Sequence, residues 1–351
     1  MKKLLVVLVV VGLIATIILS SCAQSAPASA KPSTAVSSSA TQPATSSAPL
    51  VKLKAVSFQA SNASSTACFM IFVDAVNAKG KGKVQIDYIG GPEVVTRDAA
   101  PQSAKSSVVD VVYEPFTFYG GVVPIGNAMQ FSDLTAQEEI TNGLWTYVRE
   151  LHAKAGLFWI GRGNSGQSAD TYWNSTKPVT KLADLVGRRA GSGSLTSKSL
   201  VEKVGASFVQ VAVGDVYTGL QTGVIDAYIT PPNGQTAASA QKVCKFIIGY
   251  PFYKANQSIF MGLDKYNTLS KEVQDILTST LVEQQAAMNT QFADSNKSDL
   301  QKMLDAGETI VTLPGNEGEL YINMANEAAK ADVLKNYPEA GPKILQMTAK
   351  K

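Results

Sequence analysis

Few side chains in this sequence can do covalent chemistry. There is one histidine, His152, and there are three cysteines, Cys22, Cys68 and Cys244. A serine hydrolase needs a nucleophile, a base and an oxyanion hole. Gly191-Ser192-Gly193-Ser194 has suitable residue types but is not the G-x-S-x-G of a nucleophile elbow. His152 falls late in a helical stretch, where a solvated or dipole-facing imidazole is the usual case. Zinc finds no His/Cys cluster. Gly161-Arg162-Gly163 lacks the third glycine and the later acid of a dinucleotide fingerprint. No cofactor, no metal and no catalytic residue is therefore expected, and an extracytoplasmic enzyme is kept only as an alternative.

Recognition chemistry is better supplied. The arginines are Arg97, Arg149, Arg162, Arg188 and Arg189, any of which can pair with a carboxylate. Tyr113, Phe116, Phe118 and Tyr119 follow an expected strand end, Tyr172 and Trp173 lie near a chain crossing, and Tyr217 and Tyr228 belong to the second half. Ligands of open α/β sheets bind beyond the carboxyl ends of strands. A Tyr/Phe-lined cleft there suits a solute with an apolar body and few polar groups.

The elements that position these residues are legible from periodicity. Residues 51–58 and 83–89 alternate like strands around an amphipathic helix at 64–78, and Gly90-Gly91-Pro92 stops the second strand. A polar helical stretch follows, then a buried strand at 108–112. This β-α-β-α-β order implies a parallel sheet with crossover helices. One helix is expected over 135–155, and a strand at 157–160. A second unit begins near Pro178, with strands at 188–191, 208–211, 224–229, 243–248 and 259–263 and helices at 195–204 and 215–221. Residues 270–306 read as one long helix, capped by Ser270 and closed by Gly307. At about 1.5 Å per residue it exceeds one lobe, so it is expected to lie across both. The fold class is α/β: two lobes around a cleft, with a long helix bridging both lobes.

The N-terminus is a separate matter. Lys2 and Lys3 precede an uncharged apolar run to Leu19, and Leu19-Ser20-Ser21-Cys22 looks like a bacterial lipobox. Residues 1–21 read as a lipoprotein signal peptide, with Cys22 as the lipidated residue. Residues 22–50 read as a flexible Ala/Ser/Pro/Thr tether. The net charge of +3 comes from Lys2, Lys3 and Lys31, leaving 28 basic against 28 acidic residues in the body. With 45% hydrophobic and 17% charged residues, the composition is that of a soluble globular protein. No Lys/Arg cluster with interleaved aromatics points to nucleic acid. Cys68 and Cys244 read as buried free thiols, with a disulfide as the alternative.

One stretch carries a family likeness: Lys181-Leu-Ala-Asp-Leu-Val-Gly187, Glu202-Lys-Val-Gly-Ala-Ser207, and Asp215-Val-Tyr217-Thr-Gly-Leu-Gln-Thr-Gly223-Val-Ile-Asp226. It resembles the solute-binding proteins of TRAP (tripartite ATP-independent periplasmic) transporters of the DctP type. Asp215 can cap a helix and Gly223 can end it, so the motif speaks of fold. The resemblance implies a two-lobed, periplasmic-binding-protein-like fold and a non-catalytic receptor; the lipobox-like segment, not the resemblance, adds the expected lipid anchor to the membrane. The receptor would capture a small organic solute between two lobes and deliver it to a TRAP-type permease. A binding lipoprotein of another transporter or of a sensor system is the runner-up.

The resemblance also carries ligand positions, at which this sequence departs. The family arginine on the strand after "DL-x-G" falls on Gly191, or on Ala190 with a gap. A family aromatic falls on Val213, and a family asparagine on Thr230. These departures remove bulk or charge, so the usual organic-acid ligand does not follow from them. Arg189, two residues before Gly191 on one strand face, and Arg162, at the end of strand 157–160, are candidates for a displaced clamp. Tyr119, Tyr172 and Tyr228 complete the candidate ligand-binding set. Lobe I is expected over 51–165 plus about 257–295, and lobe II over 166–256 plus about 296–351.

Overall fold

Apolar alternation in five short segments builds the first sheet. Its strands are β1 (Val51–Ser57), β2 (Val84–Gly90), β3 (Val111–Pro115), β4 (Leu157–Arg162) and, from much later in the chain, β10 (Gln257–Gly262). They lie in the order β2-β1-β3-β10-β4. The computed structural model describes residues 49–164, 171–254 and 256–349. The expected signal peptide, Cys22 and the tether lie outside the described residues.

Period-two alternation gives this sheet two apolar faces. Leu53, Val111, Ile259 and Met261 face a cluster with Phe69 and Phe72, whereas Val56, Val112 and Phe260 face one with Trp145 and Trp159. β1 is parallel to β2 and β3, but β10 runs antiparallel to both β3 and β4. The sheet is therefore mixed rather than wholly parallel. β10 enters from the other lobe, not through a crossover helix, so nothing constrains it to the parallel direction.

The second sheet comprises β5 (Tyr172–Ser175), β6 (Arg189–Ser192), β7 (Ser207–Gln210), β8 (Ala227–Thr230), β9 (Phe246–Ile248) and β11 (Thr309–Val311). Their order is β11-β9-β5-β8-β6-β7. β6 is parallel to β7 and β8, and β5 is antiparallel to β8 and β9.

The helices are α1 (Ser64–Lys79), α2 (Ala100–Lys105), α3 (Ala136–Thr141), α4 (Leu144–Lys154), α5 (Lys198–Lys203), α6 (Val216–Gln221), α7 (Pro232–Ala237), α8 (Leu263–Thr268), α9 (Lys271–Asp305), α10 (Glu317–Asn336) and α11 (Ala340–Thr348). The expected single helix at 135–155 is two. Thr135 and Glu138 cap α3 reciprocally, and Gly143 at φ 85° breaks the chain before α4. A left-handed residue with a side chain would cost roughly 1–2 kcal/mol there. β3 starts three residues later than its apolar run suggests. Ser107 adopts φ 55°, and Asp110 is occupied accepting the Lys54 amide at 2.8 Å.

α9 spans both lobes, as its length implies: 35 residues at 1.5 Å each give about 53 Å. Ser270 caps it, with its Oγ accepting the Val273 amide at 3.3 Å. Its first half packs Val273, Leu277, Leu281 and Met288 into the first lobe's cluster, and it also packs against α7 of the second lobe. α10 lies on α5, while α11 lies on α4 and residues 128–131, so residues 296–351 contact both lobes. Among the described residues Cys68 and Cys244 form no disulfide and are buried, and burial pushes both thiols up to about 12.

Candidate functional site

The carboxyl ends of β1 and β3 face those of β6 and β8 across the junction of the two sheets. Phe58 and Gln59 follow β1, and Pro115 to Phe118 follow β3. Ser192 ends β6, with Gly193, Ser194 and Thr196 after it, and Thr230 ends β8, with Pro231 and Asn233 after it. Together they enclose a cavity of about 130 Å³. At roughly 10–15 Å³ per water position it has room for about ten non-hydrogen atoms. A wider recess of about 960 Å³ lies outside it, sharing Gln59, Arg97, Gly193, Val213, Asn233 and Gly234.

Arg97 stands at the junction of cavity and recess. The turn after β2 puts it there. Gly90 takes φ 137°, and a side chain on Gly91 would run into the Gln59 carbonyl, so these two glycines let the turn press against the end of β1. The chain then enters a 3-10 turn at residues 97–99. Arg97 Nε donates to the Phe58 carbonyl at 3.2 Å, and its guanidinium lies 4.8 Å from the centre of the Phe118 ring. Its Nη1 reaches to 3.9 Å of where a Gly193 Cβ would sit in the second lobe. Burial lowers its pKa, against the opposing influence of Tyr228, Glu114 and Asp98, yet an arginine keeps its charge in any case. Among the described residues it forms no ion pair, whereas Lys254, the other cation in the wall, is 2.5 Å from Asp133.

Among the described residues the rest of the wall is neutral. Phe58, Phe116, Phe118, Tyr228 and Tyr253 give it apolar surface. Ser194, Thr196, Thr230, Asn127, Gln130 and Asn233 give it hydroxyls and amides. Such a site suits a small, partly apolar solute fixed by a few polar contacts.

The sequence-predicted residues divide. Val213, Tyr228 and Thr230 line the cavity. Tyr228 is buried, its phenol raised by burial and hydrogen-bonded to Thr230. Thr230 packs so tightly on Gly234 that no Cβ would fit there. Tyr172 is half-buried on β5, directly opposite Thr230 and next to Thr171 of the wall. Gly191 faces elsewhere. A Cβ on it would lie 2.7 Å from Ile225 Cδ1 and 3.0 Å from Val211 Cγ1, inside the second lobe's packing.

Neither candidate arginine reaches the cavity. Arg189 grips Asp226 through Nε and Nη2 at 3.0 and 3.1 Å, and Lys177 pairs with the same carboxylate. Burial alone would raise Asp226, but these hydrogen bonds hold it well below the usual carboxylate range. Arg162 is fully buried, paired with Glu139 and donating to the carbonyls of Asn164 and Ser132. Tyr119 is buried against His152, with its hydroxyl 3.1 Å from Nε2. His152 is itself enclosed rather than solvated. It is stacked on Trp159, with Nδ1 2.7 Å from the Val148 carbonyl, and desolvation lowers its pKa to about 4. Asp215 makes no side-chain cap. Among the described residues no group of three or more His, Cys, Asp or Glu could hold a metal ion.

Arg97 is the residue that motif reasoning passed over. The signal for it is a glycine pair stopping a strand, followed six residues later by one of five arginines, away from the strongest family motif at 205–226.

The sequence matches the family described as bacterial extracellular solute-binding protein, family 7 (DctP), over residues 57–336. The chain belongs to this family. A family 7 protein is a solute receptor rather than an enzyme, and the family works outside the cytoplasm. Among curated proteins, a "Solute-binding protein" of Albidiferax ferrireducens is 22% identical over 217 residues, 59% of this chain and 62% of that protein. The match thus spans less than two thirds of that relative. A TRAP periplasmic solute-binding protein from Desulfovibrio salexigens, solved with bound orotic acid, has a TM-score of 0.75 at 16% identity, covering 85% of this chain and 97% of that one. DctP7, a Bordetella pertussis extracytoplasmic solute receptor binding pyroglutamic acid, has a TM-score of 0.72 at 18% identity, covering 86% and 100%. At these identities the likeness is one of fold.

Proposed function

We propose that this receptor captures a small organic acid of about ten non-hydrogen atoms, with the acid's carboxylate on Arg97, and delivers it to a TRAP-type permease. The observation that carries the reading is an arginine in the cavity wall with no ion pair among the described residues. A guanidinium offers a planar fork that suits a carboxylate. The same charge that the family places on the second lobe's strand would here come from the first lobe. Orotic and pyroglutamic acids, bound by the relatives above, are of the right size and charge. Closure follows if the solute binds the closed arrangement of the lobes better than the open one.

Mass spectrometry of solute released from freshly purified, denatured protein tests this reading. A carboxylic acid of this size supports it, and an uncharged solute contradicts it. The lipobox-like Leu19-Ser20-Ser21-Cys22 supports a lipid anchor on Cys22, which would keep the receptor near its permease. Cys22→Ala should abolish incorporation of labelled fatty acid, and equal labelling of variant and parent would remove the anchor from the proposal.

A further inference from the structure

Beneath the cavity lies a carboxyl group with no partner. Glu114 is on β3, immediately before Pro115 of the cavity wall, and is 1% exposed. Neither of its oxygens has a hydrogen-bond partner among the described residues. Strand alternation sends it to the same face as Val112, away from Tyr113. Ser258 of β10 stands opposite it. Arg97 is brought near it because Arg97 Nε donates to the Phe58 carbonyl at 3.2 Å and the Phe58 amide donates at 2.9 Å to the carbonyl of Tyr113, the residue before Glu114. Among the described residues Asp98, beside Arg97, and Tyr119, beyond β3, are the other titratable groups that act on it. His152 of α4 stands behind Tyr119 and is neutral above about pH 4.

An ionised carboxylate buried without hydrogen bonds or an ion pair is costly, and the usual outcome is that it keeps its proton. Desolvation accordingly holds the Glu114 carboxyl well above its ordinary range, outweighing the attraction of Arg97. The protonation state of Glu114 therefore decides how much of the Arg97 charge is left for a solute.

We propose that Glu114 is a specificity-determining residue: held as a neutral acid beneath the cleft, it leaves Arg97 unbalanced for an anionic solute, and its ionisation withdraws that preference. This rests on Arg97 as the anion's partner. By linkage, an anion on Arg97 strengthens proton binding at Glu114 by the same factor that the proton strengthens anion binding. Where Glu114 already carries its proton, anion binding exchanges none; where pH has ionised it, the carboxylate takes up one proton from solvent as the anion binds and returns it on release.

The test uses wild type, Glu114→Gln and Arg97→Gln in two measurements between about pH 5 and pH 9. Gln keeps the size and removes the proton. In thermal denaturation without solute, a group whose folded pKa is raised stabilises fully below its unfolded value and loses that contribution as pH rises. Glu114→Gln should thus match wild type near pH 5 and surpass it increasingly at higher pH. Parallel curves would overturn the proposal. In titrations with pyroglutamate and orotate, wild-type affinity should fall at least fivefold across the range, a typical lower bound for coupled sites. Glu114→Gln should bind with no such fall. An equal fall in both proteins also overturns it.

If neither acid binds wild type, the organic-acid reading is at fault, while the denaturation curves still judge the proton on Glu114. Should Glu114→Gln fail to fold, the infrared carbonyl band of a protonated carboxyl decides, taken as the difference between glutamate-labelled wild type and Glu114→Leu because burial also raises Glu139 and Glu308. The band present at neutral pH supports the neutral acid, and its absence overturns it.

Discussion

Gly191 is the ungapped match proposed for the family's arginine, with Ala190 the match if a gap intervenes, and filling Gly191 should harm the fold without helping the ligand. An alanine Cβ there would lie 2.7 Å from Ile225 Cδ1 and 3.0 Å from Val211 Cγ1, and Ile225 is fully buried. Overpacking of this kind costs about 1–3 kcal/mol. Restricting the unfolded chain by removing a glycine returns about 0.4–1 kcal/mol. Gly191→Ala should therefore lose about 1–2 kcal/mol, a fall in Tm of roughly 2–6 °C. Because the nearest atom is a terminal methyl, Ile225→Val removes the shortest contact and leaves the one to Val211. The double variant should lose less than the sum of the two single losses. Gly191→Arg, which restores the family residue, should be less stable still and should gain no affinity for acids, since its side chain leaves the strand towards Ile225. Thermal denaturation followed by circular dichroism, with pyroglutamate and orotate titrations on the folded variants, provides the assay. A Gly191→Ala protein as stable as wild type, or a Gly191→Arg protein that binds an acid tenfold more tightly, would refute the reasoning.

Two other sites make separate predictions. His152 is fully buried and its pKa falls from 6.5 to about 4, so the folded state binds fewer protons than the unfolded state between those values. Stability should therefore drop as pH falls through this window, by about 3 kcal/mol in all, and His152→Phe should flatten that part of the profile. Arg162→Met would leave Glu139 buried without its cation, a loss of about 3–5 kcal/mol, with Arg162→Met/Glu139→Leu regaining much of it in urea unfolding.

The lobes, most strand positions and the bridging helix were legible because they are written locally. Apolar alternation marks β1 and β2, Ser270 and Gly307 bracket α9, and the left-handed glycines Gly205 and Gly223 close helices as their positions suggest. The antiparallel insertion of β10 was not legible, because strand direction is settled by the partner strands and not by the strand's own residues. The break at Gly143 was hidden by helical periodicity on both sides. At the site, Tyr228, Thr230 and Val213 followed from strand-end reasoning and the family motif. Arg189 and Arg162 did not reach the cavity for a common reason: each has a carboxylate partner far away in sequence, Asp226 and Glu139, that sequence proximity cannot reveal. Arg97 was hidden for the converse reason, since only folding brings its turn beside Phe58 and opposite Gly193.

The most direct measurement is calorimetric titration of wild type and Arg97→Gln with the acid recovered from the purified receptor. Removing one partner of a desolvated charge pair costs about 2–5 kcal/mol, so the variant should bind at least about thirtyfold more weakly while its unfolding transition stays cooperative. An Arg97→Gln protein that binds within tenfold of wild type would contradict a carboxylate held on Arg97.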